Sequence, residues 1–194
     1  SLWGRRENMS PIRKLACYLT IILFLNCIIQ GEMYWMEDML QNQILPEQST
    51  RNEFEEYRDT YLARLKHFRD ACTRAVGNSD IRICVENTSA FSAPFGEESL
   101  ACLLESPVFA VTFDTGHDAA RNFTQRPIIN RCIDRLIHMH LHDAIPSDRR
   151  DHLPIGEGIL PIEDYLTLAK AHNCRVVVEV KTIEGLQRSV ARLR

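Results

Sequence analysis

The chain has 194 residues, 45% hydrophobic and 25% charged, with a net charge of −3 and a pI near 6.2. That length and composition suit one globular domain, residues 1–194, with a sizeable core. The acidic balance gives no electrostatic case for a nucleic-acid partner, which usually shows a basic stripe. Seven cysteines, at 17, 27, 72, 84, 102, 132 and 174, are odd in number and form no CxxC pair. Cys84 and Cys174 sit inside apolar runs, so the set reads as reduced and the protein as cytoplasmic.

In chain order, a polar start (Ser1–Ser10) leads into Arg13-Lys14 and an apolar run, Leu15–Ile29, broken only by Thr20 and Asn26. The run is shorter than the ~20 residues of a membrane span, so no membrane is expected. Its basic flank suits a signal peptide over residues 9–31, but Gln30-Gly31-Glu32 is a poor cleavage site. A buried strand at Ile21–Ile29 explains the run equally well. Met33-Tyr34-Trp35-Met36 reads as core or rim packing. Thr50 and Glu53 have capping-box spacing, and a helix follows over Arg51–Val76. Its stripe is Phe54, Tyr57, Tyr61, Leu65 and Phe68, and Gly77 stops it.

Four strands are then predicted: Ile81–Glu86, Val108–Asp114, Leu136–Asp143 and Arg175–Lys181. Helices over Glu97–Glu105, Ile128–Arg135, Ile162–His172 and Glu184–Leu193 alternate with them, as successive βα units of a parallel sheet require. The strands are near-continuously apolar, which implies cover on both faces. Glu179, between Val178 and Val180, is then a buried carboxylate that is costly without a partner.

The most informative segment is Leu136–Gly158, LIHMHLHDAIPSDRRDHLPIGEG. Strand alternation puts His138, His140 and His142 on one face, running into Asp143. Each of the four strands ends in a carboxylate or an imidazole: Glu86, Asp114, the His140 group and Glu179. Strand C-termini form the functional rim of α/β barrels, so four residues spaced 28, 26 and 39 apart converge there. Imidazoles and carboxylates so gathered are what a divalent metal needs.

CVENTS (84–89), TFDTGH (112–117), HLHD (140–143), DHLPIGEG (151–158) and VVEVK (177–181) together resemble the xylose isomerase-like barrel superfamily. That group holds sugar-phosphate isomerases and epimerases and endonuclease IV-type AP endonucleases. The resemblance covers roughly residues 80–194 and implies an α/β fold, the (β/α)8 TIM barrel. It implies a single divalent-metal site of Glu86, Asp114, His140 and Glu179. It makes His117 a substrate contact or, as in the multi-zinc endonucleases, a ligand of another metal, and it matches His152 to a rim histidine. A complete barrel has eight strands in ~250 residues. Four strands and one candidate are visible here, so the chain reads as the C-terminal five or so βα units.

Three carboxylates with one imidazole are a hard, oxygen-rich set suited to Mn²⁺ or Mg²⁺, with Zn²⁺ or Co²⁺ as alternatives. The expected activity is a sugar or sugar-phosphate isomerase/epimerase working by proton transfer through a metal-stabilised enediolate. Glu86 and Glu179 are its catalytic pair, and His117, His152 and Arg150 its substrate contacts. The expected partner is a small sugar, with a homo-oligomer as a further expectation. Rival readings are a zinc AP endonuclease, a keto-sugar dehydratase or aldolase on the same barrel, and a non-catalytic truncated barrel. Against the endonuclease, Arg150 stands where that pattern has an aspartate, and Asp151, one step off, is expected to point elsewhere. No histidine precedes His67.

Overall fold

The structure, a computed structural model, describes residues 47–92, 95–148 and 150–194, with side chains from Arg58 onward except Ser89. The apolar run with its strand and signal-peptide readings, Met33–Met36 and the capping-box side chains lie outside the described residues. Chain contacts divide at Glu53/Phe54, and the motifs all belong to the unit Phe54–Arg194.

Helix α1 spans Glu47–Val76, so it opens four residues before the expected Arg51. Glu47 and Gln48 are good helix formers, and an acidic residue suits the first turn. Its end is as expected: Gly77 takes φ +55°, a conformation that carries no Cβ penalty in glycine. There follow β1 (Ile83–Glu86), a 3₁₀ turn (Ser89–Ser92), α2 (Gly96–Leu104), β2 (Phe109–Asp114), α3 (Thr115–Ala120) and α4 (Arg126–Arg131). After them come β3 (Leu136–Leu141), β4 (Asp143–Ile145), β5 (Arg150–Leu153), α5 (Ile162–Ala171), β6 (Arg175–Val178) and α6 (Ile183–Arg192).

Strands β1, β2, β3 and β6 pair in that order as a four-stranded parallel sheet, which among the described residues does not close on itself. This is an α/β arrangement consistent with part of a barrel. All six residues of β2 are buried, as a central strand covered on both faces requires. Phe109, Val111 and Phe113 alternate with Ala110, Thr112 and Asp114, so one face is apolar and the other carries the polar side chains. Phe109 meets Phe68 of α1 at 6.2 Å between ring centres, and Phe113 meets Tyr165 of α5 at 5.9 Å. Met139 and Leu141 of β3, both fully buried, share a core with Phe113 and Tyr165. Each such side chain contributes about 1.5–3 kcal/mol by leaving water.

Three expectations are corrected. The third strand stops at Leu141, and Asp143 instead opens a short antiparallel hairpin, β4 with β5. The helix expected over Ile128–Arg135 is split into α4 and a 3₁₀ turn, Ile133–Arg135. Strand β6 is not buried on both sides: it is an edge strand of the described sheet, Val177 is 41% exposed, and the Glu179 side chain is 43% exposed. The desolvation argument for Glu179 therefore fails, and its place near the other ligand-type residues comes from register. Among the described residues no helix is long and apolar enough to cross a membrane. The five described cysteines are all free thiols.

Candidate metal centre at the strand ends

Register explains how four strand ends reach one point. Glu86 pairs level with Thr112 and, through it, with His138 and Arg175. Asp114, His140 and Val177 stand on the next level of the same face, two residues up, and Glu179 comes two beyond that. Such a stagger is what strand tilt in a barrel produces. The ladder extends to Glu179, whose N–H donates to the Leu141 carbonyl at 3.1 Å.

At the centre is His140. Its Nδ1 lies 2.9 Å from Glu179 Oε2, 3.6 Å from Glu86 Oε1 and 3.6 Å from Asp114 Oδ2. His117 Nδ1 lies 3.1 Å from the same Glu86 Oε1 and 3.8 Å from Asp114 Oδ1. These two Nδ1 atoms are buried and, among the described residues, make no hydrogen bond of acceptable geometry, although carboxylate oxygens surround them. Imidazole nitrogens aimed among carboxylates without hydrogen-bond angles are arranged as metal ligands are. Glu86, Asp114 and His140 indeed offer donor atoms within 4.8 Å of one another. The residues fit a divalent ion.

Asp114 is the best-anchored member. It ends β2, is fully buried, and caps α3 by accepting the His117 N–H at 2.6 Å. Asn87 holds its backbone from β1: Oδ1 accepts the Asp114 N–H at 2.6 Å and Nδ2 donates to the Asp114 carbonyl at 3.0 Å. Thr115 Oγ1 lies 3.3 Å from the His140 carbonyl and 3.2 Å from that of His142, joining the TFDTGH and HLHD segments.

The electrostatics are those of a charged cluster. Burial would raise the Glu86 carboxyl, but His117 and His140 outweigh it and bring it down to about 2. Burial opposes ionisation of Asp114 too, and His140 and His142 hold it well below the usual carboxylate range. Asp114 and Glu86 push the His140 imidazolium up to about 10, and Glu86 raises His117 in the same direction.

The hairpin brings a second donor group to the first. His152, on β5 at φ +53°, lies 2.8 Å through Nδ1 from Asp151 Oδ1 and 3.5 Å through Nε2 from Glu179 Oε1. His117, Asp151 and His152 form a cluster within 4.8 Å. Asp151 thus points into the site, against expectation, because β5 is a short hairpin strand that turns it there. Two clefts meet at Asp151. One, of about 470 Å³, includes Arg150, His152, Lys181 and Arg188; the other, of about 480 Å³, includes His117, Arg121 and Asn122. Arg150 lines the first cleft with its guanidinium 3.4 Å from Asp148 at the surface.

His138 lies one level below His140, with Nδ1 3.1 Å from Thr112 Oγ1. Asp143 is no part of the site. It is buried and accepts the N–H groups of Ala144, Gly156 and Leu160 at 2.8–3.0 Å, so it organises the loop. Asn87 and Asp143 were not legible as structural anchors. An Asn directly after a strand-ending Glu was the only signal for the former.

No curated protein and no solved structure matches the chain. A family model described as xylose isomerase-like TIM barrel matches residues 33–194, taking in every strand of the parallel sheet and all the residues of the centre. The family takes in sugar isomerases and epimerases as well as AP endonucleases, and its members often bind divalent metals. On that match, the chain belongs to the xylose isomerase-like TIM-barrel family.

Proposed function

We propose that this protein is a divalent-metal-dependent sugar or sugar-phosphate isomerase/epimerase. The observation that carries the reading is the pair of carboxylates from the two outer strands of the described sheet. Glu86 from the end of β1 and Glu179 from just beyond β6 both face His140, at 3.6 and 2.9 Å. Glu86, Asp114, His140 and Glu179 would hold the ion, with the hard oxygen-rich set favouring Mn²⁺ or Mg²⁺. When bound, such an ion stabilises negative charge on adjacent substrate oxygens.

The rest is the work of side chains. Glu86 and Glu179 are the proton-exchanging pair, one taking a proton beside the substrate carbonyl and the other returning it, with roles exchanged in reverse. Both retain solvent access, at 30% and 43% of the side chain, so substrate can reach them. Among the described residues the ion-pair contacts of the Glu86 side chain run through Oε1, which leaves Oε2 for the substrate. His117, His152 and Arg150 line the adjoining clefts and serve as substrate contacts.

One observation favours a second reading. The His117, Asp151, His152 group could hold another ion, and several metals within one site suit phosphodiester cleavage at an abasic nucleotide. A single experiment separates the two. The full chain, loaded with Mn²⁺, is incubated in D₂O with a panel of ketoses and ketose phosphates and read by proton NMR. Deuterium entering at the carbon beside the carbonyl supports the isomerase. No exchange with any sugar, together with incision of an oligonucleotide at an abasic site, overturns it.

A further inference from the structure

We propose that His142 is a positioning residue: its imidazole fixes the carboxylate of Asp114 and ties it to the hairpin that carries His152. The inference rests on the metal-centre reading above and adds to it a group that is not itself a ligand.

His142 follows β3 directly and is fully buried. Both of its ring nitrogens are engaged. Nδ1 accepts the backbone N–H of His152 at 2.7 Å, so Nδ1 presents its lone pair and the ring proton sits on Nε2. Nε2 lies 3.0 Å from Asp114 Oδ1 and 3.2 Å from Oδ2, and therefore donates to that carboxylate. The Asp143 carbonyl, 3.3 Å from Nδ1, then faces a second acceptor and makes no hydrogen bond with it. With one nitrogen held by a backbone donor and the other carrying the proton given to Asp114, neither is left to coordinate an ion. His142 is thus set apart from Asp114 and His152, near as its donor atoms lie to theirs.

The surroundings enforce this placement. The ring stacks on His152 at 4.2 Å between centres and 10° between planes. Gly116 also lies against the ring: an added Cβ would stand 2.0 Å from His142 Cε1 and 2.4 Å from Nδ1. The glycine of TFDTGH is required there because the ring fills the space a side chain would take. Asp114 has no solvent to orient it, and among the side chains of the described residues His142 is the nitrogen donor to it that stays clear of the proposed ion. An outer partner of this kind fixes a ligand's direction, and its loss typically weakens metal binding 10–100-fold. Because the same ring receives the His152 N–H, one imidazole sets both the aspartate on β2 and the hairpin histidine.

The test combines metal affinity with direct observation of the tautomer. Ion affinity is measured by competition with a chelator, using Zn²⁺ as probe, for the full chain and for His142→Phe and His142→Gln. The phenylalanine keeps a ring but offers Asp114 nothing, and a loss of about 10–100-fold is expected. The glutamine restores an N–H for Asp114, and most of the affinity returns with unchanged stoichiometry. Undiminished affinity in His142→Phe would reduce the ring to packing, and loss of an ion equivalent in both variants would make it a ligand. Either overturns the proposal. Should the variants fail to fold, long-range proton–nitrogen NMR on histidine-labelled wild type decides: a protonated Nε2 and bare Nδ1, unchanged on adding Zn²⁺, are expected. A protonated Nδ1, or a shift showing ligation, refutes it. Wild type that binds no ion defeats the metal-centre reading while leaving the tautomer to be read on its own.

Discussion

Replacing Asn87 by alanine removes the clamp between the end of β1 and the backbone of Asp114. The side chain is fully buried and makes three hydrogen bonds: with the Asp114 N–H at 2.6 Å, the Asp114 carbonyl at 3.0 Å and Gln125 Oε1 at 3.2 Å. The ladder between β1 and β2 ends at Glu86↔Thr112, so no strand residue replaces these partners. Alanine leaves one buried N–H and two buried oxygens short of a partner, at about 1–3 kcal/mol for each group left unpaired. Gln125 keeps its bonds to Thr88 and Ser92, and can adjust, so the total expected is about 3–5 kcal/mol. That is a large share of the ~5–15 kcal/mol that holds a domain together. The assay is urea unfolding of chelator-treated protein. With a slope of about 2 kcal/mol/M, the midpoint should fall by roughly 2 M at unchanged slope. Asn87→Asp should be no better, since it cannot donate and puts a second buried anion beside Asp114. A loss under about 1 kcal/mol in Asn87→Ala, or wild-type stability in Asn87→Asp, would refute the reasoning.

Glu179→Gln should cost stability no more than about 1 kcal/mol, because the ion pair it removes from His140 is 43% exposed on the glutamate side. Its deuterium exchange into substrate should fall by about 10²–10⁴-fold, and exchange at the wild-type rate would remove Glu179 from the mechanism. Gly116→Ala forces its Cβ against the buried His142 ring and should cost about 1–3 kcal/mol by thermal or urea unfolding. For metal-free protein, His140 is raised in the fold to about 10 from an ordinary 6.5, so its stabilisation is complete below 6.5 and is lost as pH climbs through 10. Glu86, lowered to about 2 from 4.5, contributes above 4.5 and loses that contribution as pH falls through 2. Ion binding must displace the His140 proton, so ion affinity should rise with pH between 6.5 and 10, and a flat affinity over that window would contradict the assignment.

The strand ends were legible because strand periodicity and the location of function at strand C-termini act together. Glu86, Asp114, His140 and Glu179 stand one per strand, and register brings them within reach. Burial was less legible. Arg175-Val176-Val177-Val178 has the composition of a covered strand, yet composition does not say which strand lies at an edge of the described sheet. The β4–β5 hairpin escaped notice because strands of three and four residues carry too few alternations to be read. Its φ +53° at His152, unusual for a non-glycine residue, leaves no trace in the sequence. Asp151 lies on that hairpin, and its direction was not legible because the hairpin was not. The roles of Asn87 and His142 depend on partners 27 and 28 residues away, a distance that local patterns do not encode.

The most direct test of the central claim is the number of ions bound. Chelator-treated protein is titrated with Mn²⁺ by calorimetry, beside Asp114→Asn. One tight equivalent per chain in the wild type, lost in Asp114→Asn, is predicted from a centre of Glu86, Asp114, His140 and Glu179. Two or three equivalents would show that His117, Asp151 and His152 hold ions of their own, contradicting the single-metal isomerase. No binding at all would contradict the centre itself.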